Sequence, residues 1–302
     1  MTRQFAIVPL DEPATGGVVP MKLALFPINS SALADPELMA RVAVAADGSG
    51  IESVFTGEHI VVPDPLAPPS HVPPETVLVH PSTALAFCAA LTKNLRLGTG
   101  ITLLPSHNPL VVAKEFGSLD HLSSGRLILG VGVGYVPLEY EVLGLSYEDR
   151  GRRTDEYIDA IRAMWTQPSP AYAGEFVAFS GINAFPRPVQ QPPPILIGGS
   201  SAAAFRRVVE RGNGWIGGGG TPEGVSAARQ MIEAASRRYE RPAELGEIEL
   251  TVTPNGALDR DAVARFEELG VARLIVGFRA YGLEPTLDGY LTWVDRVAAL
   301  AG

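Results

Sequence analysis

From residue 21 onward the chain alternates short apolar strands with amphipathic helices, and that alternation constrains its fold more than any other feature. Strands are predicted at 22–27, 51–56, 95–103, 126–132, 195–197, 213–216 with the glycine run 217–220, 248–253 and 273–276. Helices follow them. Asp35-Pro36-Glu37 opens the first as N-cap, proline at N1 and acidic first turn, with Leu38, Val42 and Ala45 on its buried face. The rest are expected at 82–91, 110–122 behind Asn108-Pro109, over the pattern Tyr157, Ile158, Ile161, Met164 and Trp165, from Gly198-Gly199-Ser200-Ser201 through Val209, behind Thr221-Pro222-Glu223, at 259–269 and at 287–300. Eight strand-helix units in register predict a (β/α)8 TIM barrel rather than a doubly wound sheet. An irregular excursion at 168–194, with a hairpin at 172–179, interrupts the series after strand 4. Residues 1–20 are read as an N-terminal extension with a packed arm at Phe5-Ala6-Ile7-Val8, and 21–302 as a single catalytic barrel.

The fourth strand ends in glycines 130, 132 and 134, spaced by the strand period of two and therefore on one face. Interior glycine weakens a strand unless something must come close to its backbone. A flat cofactor ring would be such a visitor. A dinucleotide-binding loop is the competing reading, with Asp149 spaced for a ribose, but it needs a helix to start at once, and Tyr135-Val136-Pro137 gives no helix signal before about Asp149. A third reading is that the glycines only thin out a crowded strand end.

In a barrel of this kind the site gathers at the C-terminal ends of the strands. Those ends read Phe26-Pro27-Ile28-Asn29, Gly57-Glu58-His59, Thr102-Leu103-Leu104-Pro105, Gly132-Val133-Gly134, Gly198-Gly199-Ser200-Ser201, the run 217–220 and Gly277-Phe278-Arg279. Few are charged. The set lacks the carboxylate pair of a glycosidase, the His and carboxylate cluster of a metal hydrolase and a Gly-x-Ser-x-Gly elbow, so no metal centre is expected. It suits a large planar ligand carrying a phosphate. Gly198-Gly199-Ser200-Ser201 supplies the anion end, where free amides and the helix dipole converge, while Ser200 or Ser201 is also explained as an N-cap.

Glu58 and His59 are the adjacent titratable pair at a strand end. His59 is read as a proton carrier, with the neighbouring carboxylate holding its tautomer. His107 before Asn108 and His121 at a helix end are assigned structural roles, His71 and His80 in the Pro-rich loop are weighed as lining a substrate entrance against simple solvation, and Arg279 is weighed as an anion contact against a surface ion pair. Net charge is −9 with no basic stripe, which disfavours nucleic acid and anionic membrane surfaces as partners. Cys88 stands alone in an apolar helical run, so neither a disulfide framework nor a thiolate cluster exists. With no apolar run of membrane-spanning length and no signal-peptide pattern, a cytoplasmic protein is the expectation.

Thr56-Gly57-Glu58-His59 with Pro63, the stretch 97–105, Leu119-Asp120-His121-Leu122-Ser123-Ser124-Gly125-Arg126 leading into 129–134, residues 153–165 and Pro194-Ile195-Leu196-Ile197-Gly198-Gly199-Ser200 together resemble the luciferase-like monooxygenase superfamily, most of all its deazaflavin-dependent oxidoreductase branch. The resemblance runs from Met21 to the C-terminus. It implies a barrel that binds reduced flavin or coenzyme F-420 across the strand ends. It further implies a bulge in the third strand, with a non-prolyl cis peptide, near Thr102-Leu103. Thr102, Leu103, Gly132, Val133 and Gly134 would then back the ring, Gly198, Gly199, Ser200 and Ser201 would hold the phosphate, and His59 would assist proton transfer.

The reading is hydride transfer between coenzyme F-420 and a small organic substrate, with His59 or Glu58 handling the proton. The alternatives are an FMN-dependent monooxygenase and a non-catalytic flavin or deazaflavin binding protein. The cofactor decides the reaction class, because a true flavin can activate oxygen and a deazaflavin carries hydride. A homodimer is implied by the resemblance.

Overall fold

The computed structural model describes residues 21–301, so the reading of 1–20 falls outside the described residues. Parallel strands β1 (Lys22–Phe26), β2 (Ser53–Thr56) and β3 (Arg96–Thr99) are followed by a short β4 (Thr102–Leu103) and by β5 (Leu127–Gly132). After a two-stranded hairpin, β6 (Tyr172–Ala173) and β7 (Ala178–Phe179), the series resumes with β8 (Ile195–Gly198), β9 (Gly214–Gly220), β10 (Glu249–Pro254) and β11 (Val271–Gly277). The order β1-β2-β3-β5-β8-β9-β10-β11 closes on itself, since β11 pairs with β1 from Lys22–Arg273 to Phe26–Gly277. This is a closed eight-stranded parallel barrel in the TIM-barrel arrangement, with β4 as a displaced continuation of β3 that pairs only with β5.

Helices α1 (Pro36–Gly48), α2 (Pro81–Leu91), α3 (Pro109–Leu122), α5 (Arg150–Thr166), α6 (Ala202–Arg211), α7 (Pro222–Ser236), α8 (Arg260–Glu268) and α9 (Leu287–Ala298) surround the barrel. Asp35, Asn108, Ser201, Thr221, Asp259 and Thr286 each accept first-turn N–H bonds, which explains why these helices start where they do. The expected absence of a helix before Asp149 is corrected. A six-residue α4 (Pro137–Val142) begins at Pro137 without a side-chain cap, so it left no capping signal to read. No helix among the described residues is long and apolar enough to cross a membrane.

Two apolar layers result. Ala24, Phe55, Ile128, Leu196, Ile216 and Ile275 fill the barrel interior, with Phe26 and Ile101 packed above them. A larger layer, including Trp165, Phe116 and Trp293, lies between strands and helices. Cys88 belongs there, fully buried, and burial pushes its thiol up to about 12, an inert core residue.

The strand N-termini are closed by charge rather than by apolar packing. Arg273, 1% exposed, donates from Nε and Nη2 to the Glu52 carboxylate at 2.9 Å each, and from Nη1 to Glu249 and to Thr251 Oγ1. Lys22 adds a 2.6 Å bond to Glu249. Burial opposes ionisation of Glu52 and Glu249, yet the charge and hydrogen bonds of Arg273 outweigh it and hold both carboxyls below their ordinary values. A carboxyl depressed by folding contributes stability above its unfolded pKa, and that contribution is lost as pH falls through the folded value. Arg273→Gln should therefore lower stability at neutral pH by about 3–5 kcal/mol and make the remaining acid unfolding less steep below about pH 4.5. Urea titrations of both proteins from neutral to acid pH would show this, and parallel curves would contradict it.

Candidate active site

A cavity of about 880 Å³ opens at the C-terminal ends of the strands. It lies within the usual range for small-molecule sites, about 300–1,000 Å³. Its floor is set by the break between β3 and β4. A non-prolyl cis peptide joins Gly100 to Ile101, which corrects the expectation of Thr102-Leu103 by two residues. Gly100 N–H bonds Thr56 O at 2.7 Å, Thr99 Oγ1 bonds Gly130 O at 2.6 Å, and the Ile101 side chain lies over β5 and β8. The visitor at the alternating glycines is thus the chain itself. A Cβ at Gly130 would strike the Thr99 carbonyl, and one at Gly132 would strike Ile101 Cδ1.

Leu103, Val133, Gly134, Gly198, Gly199, Ser200 and Ser201 line the cavity together with Ile101. Thr102 and Gly132 do not. Both are buried, Gly132 directly beneath Ile101.

Glu58 and His59 both reach the cavity but are not partners. Adjacent residues on an extended strand end point to opposite sides. Glu58, whose side chain is 1% exposed, accepts the Leu103 N–H at Oε2 and His107 Nε2–H at Oε1, 3.0 Å, with His80 Nε2 3.6 Å from the same oxygen. It thereby fixes the backbone just after the β3–β4 break. Burial disfavours the charged form of His107, but the Glu58 hydrogen bond and charge prevail and raise its pKa.

The partner of His59 is Glu139 on α4, which the sequence reading missed. Its side chain, 1% exposed, accepts Ile60 N–H at 2.6 Å and meets His59 Nδ1 at 3.1 Å. An ionised carboxylate can only accept, so Nδ1 carries the proton and Nε2 is the nitrogen left for a ligand. Tyr135 stands edge-on to His59 at 5.7 Å and stacks on His71 at 6.4 Å, bringing the loop of residues 61–80 over the same side. Buried Asn29 anchors that loop: Nδ2 donates to Gly57 O at 2.9 Å and Val79 O at 2.6 Å, and Oδ1 accepts Gly57 N–H at 3.0 Å.

At the anion end, Ser201 Oγ caps α6 through Ala204 N–H at 3.2 Å, while Ser200 lies exposed at the cavity. Gly199 has φ +111°, a conformation that favours glycine, and its carbonyl accepts Trp215 Nε1–H at 2.8 Å. Arg150, a second residue not singled out in the sequence, lines the cavity with its guanidinium 3.6 Å above the Tyr147 ring, and its Nε is buried without a partner. Arg279 is exposed at the cavity edge. Asp149, weighed as a ribose contact, instead binds Arg153 at 3.2 Å.

The chain belongs to the luciferase-like monooxygenase family, whose model matches residues 21–296. It is 31% identical over 274 residues to the Mycobacterium tuberculosis protein Rv0953c, covering 86% of this chain and 92% of that one. Among solved structures it resembles the monooxygenase RslO1 from Streptomyces bottropensis, with TM-score 0.63, 25% identity, and coverage of 93% of this chain and 83% of that one. It also shares the fold of an F420-dependent secondary alcohol dehydrogenase, with TM-score 0.72, 15% identity, and coverage of 93% and 98%.

Because Ile101 occupies the space left by Gly132, Gly132→Ala should destabilise the protein by about 1–3 kcal/mol through overpacking. Ile101→Ala in the same chain should recover part of that loss, a coupling measurable as a double-mutant cycle in urea. Strict additivity would refute the assignment of the glycine to this contact.

Proposed function

We propose that this chain moves a hydride between the deazaflavin coenzyme F-420 and a small organic substrate, with His59 exchanging the accompanying proton. The observation that carries the reading is a single cavity holding both an oriented imidazole and a turn able to receive an anion. The residues fit a planar group with a charged tail. Ile101, Leu103 and Val133 offer an apolar wall, and the Arg150 guanidinium, the α6 N-terminus and Ser200 offer donors for a phosphate.

When bound, such a coenzyme supplies a carbon that gives or takes hydride. The protein does the rest. Glu139 keeps the proton on His59 Nδ1 and stabilises the imidazolium, so a proton enters or leaves at Nε2. Glu58 holds the Leu103 backbone in place, and the apolar side chains around Ile101 exclude water from the reacting face. A second reading is a monooxygenase, which the likeness to RslO1 over most of both chains favours; reduced FMN from a separate reductase would then be its cofactor. Assembly as a homodimer belongs to the same proposal.

Titrating the purified protein with coenzyme F-420 and with oxidised and reduced FMN, followed by absorbance and fluorescence, separates the readings. Selective binding of the deazaflavin is the expected result, and selective binding of reduced FMN overturns it. His59→Ala should cut turnover by about 100-fold or more while coenzyme affinity is kept; unchanged turnover would remove His59 from the mechanism. Ser200→Asp places a carboxylate at the anion end without touching the backbone conformation of Gly199. It should weaken coenzyme binding at least about tenfold, and unaltered affinity would place the phosphate elsewhere.

A further inference from the structure

No metal centre is expected from the strand-end residues, but folding gathers three side chains of metal-ligating type from separate segments. Glu58 follows β2, His80 precedes α2, and His107 leads into α3, and their ligand atoms all lie within 4.8 Å of one another. We propose that Glu58, His80 and His107 form a binding site for one divalent transition-metal ion, with zinc as the ion the donor set suits.

The geometry supports this on several independent counts. Zinc bonds imidazole nitrogen and carboxylate oxygen at about 2.0–2.2 Å in a tetrahedron, which spaces neighbouring ligand atoms by about 3.3 Å. Glu58 Oε1 stands 3.0 Å from His107 Nε2 and 3.6 Å from His80 Nε2, on either side of that spacing. The two imidazoles are nearly perpendicular, with centroids 5.9 Å apart, so both nitrogens can converge without stacking. The outer contacts that orient metal ligands are also present. Ser82 Oγ lies 3.0 Å from His80 Nδ1, which leaves Nε2 to face inward, and the Leu103 N–H holds Glu58 Oε2.

An entry path exists as well. The Glu58 side chain is 1% exposed and that of His107 16%, but that of His80 is 39% exposed, so an ion can reach the group from solvent. Water would complete the coordination. In the metal-free protein the His107 Nε2–H fills the place between His107 and Glu58, and the incoming ion displaces that proton. The bound ion would tie three loops of the cavity mouth together.

The test needs neither coenzyme nor substrate, so its failure leaves the redox reading intact. Chelator-treated protein is titrated with zinc sulfate against a chromophoric zinc indicator, and with cobalt(II) for its visible spectrum. One equivalent per chain is expected, with a tetrahedral cobalt spectrum and a higher Tm in zinc. His80→Ala, at a solvent-accessible position, should loosen binding at least about tenfold, as should His107→Ala, while the surface control His121→Ala leaves it unchanged. No saturable binding in the micromolar range overturns the proposal. So does binding that survives His80→Ala in a variant whose circular dichroism matches the parent.

Discussion

Everything at the mouth of this barrel depends on the interruption of the third strand. Parallel closure requires β3 to pair with β5, and it does so only through Leu97 and Gly98; the chain then steps aside and resumes pairing at Thr102 and Leu103. Ile101 is carried across the barrel top and packs where Gly130, Gly132 and Gly198 have no side chains. The step would be open to water were it not held on both sides. Thr56 and Thr99 secure it from within the sheet, and Glu58 secures it from the adjoining loop. One local constraint thus creates the apolar floor, positions Leu103 and commits Glu58 to a supporting contact.

The electrostatic layout follows from the same architecture. At the strand N-termini Arg273 and Lys22 neutralise Glu52 and Glu249 in one network. At the opposite ends the polar groups are incompletely paired: His59 Nε2 and the exposed Ser200 face the cavity, and Arg150 lines it with a buried, unpartnered Nε. Buried charge that is fully paired holds the barrel together, and charge that is partly paired faces the cavity. In an acidic chain these donors and the N-terminus of α6 gather at the cavity end of the barrel.

The barrel was legible because its signals are local. Apolar runs, proline at N1 and capping Asp, Asn, Ser and Thr mark element after element, and the glycine spacing on β5 announced a close approach. What approaches was not legible, since Ile101 reaches β5 only through the folded shape of the β3–β4 break. The Glu58–His59 pair shows a different failure. Sequence adjacency suggested partnership, whereas the period of an extended chain sends neighbours to opposite sides and demands partners from elsewhere. Those partners, Glu139 and His107, are 80 and 49 residues away, on a short uncapped helix and before an N-cap that had explained its surroundings fully. Arg150 was hidden in a helix start rich in arginine.

The Asn29 side chain is a single amide that binds Gly57 on both its N–H and its carbonyl, and Val79 on its carbonyl. With Ser31 N–H to Val77 O at 2.8 Å and Val79 N–H to Asn29 O at 2.9 Å, it pins the two ends of the Pro-rich loop to the first barrel strand. A loop whose ends are fixed by the scaffold pays little more in closure entropy when its length changes. The interior of that loop is therefore a cassette: it can be exchanged or lengthened, altering what the cavity admits, while the barrel and the oriented histidine beneath it keep their form.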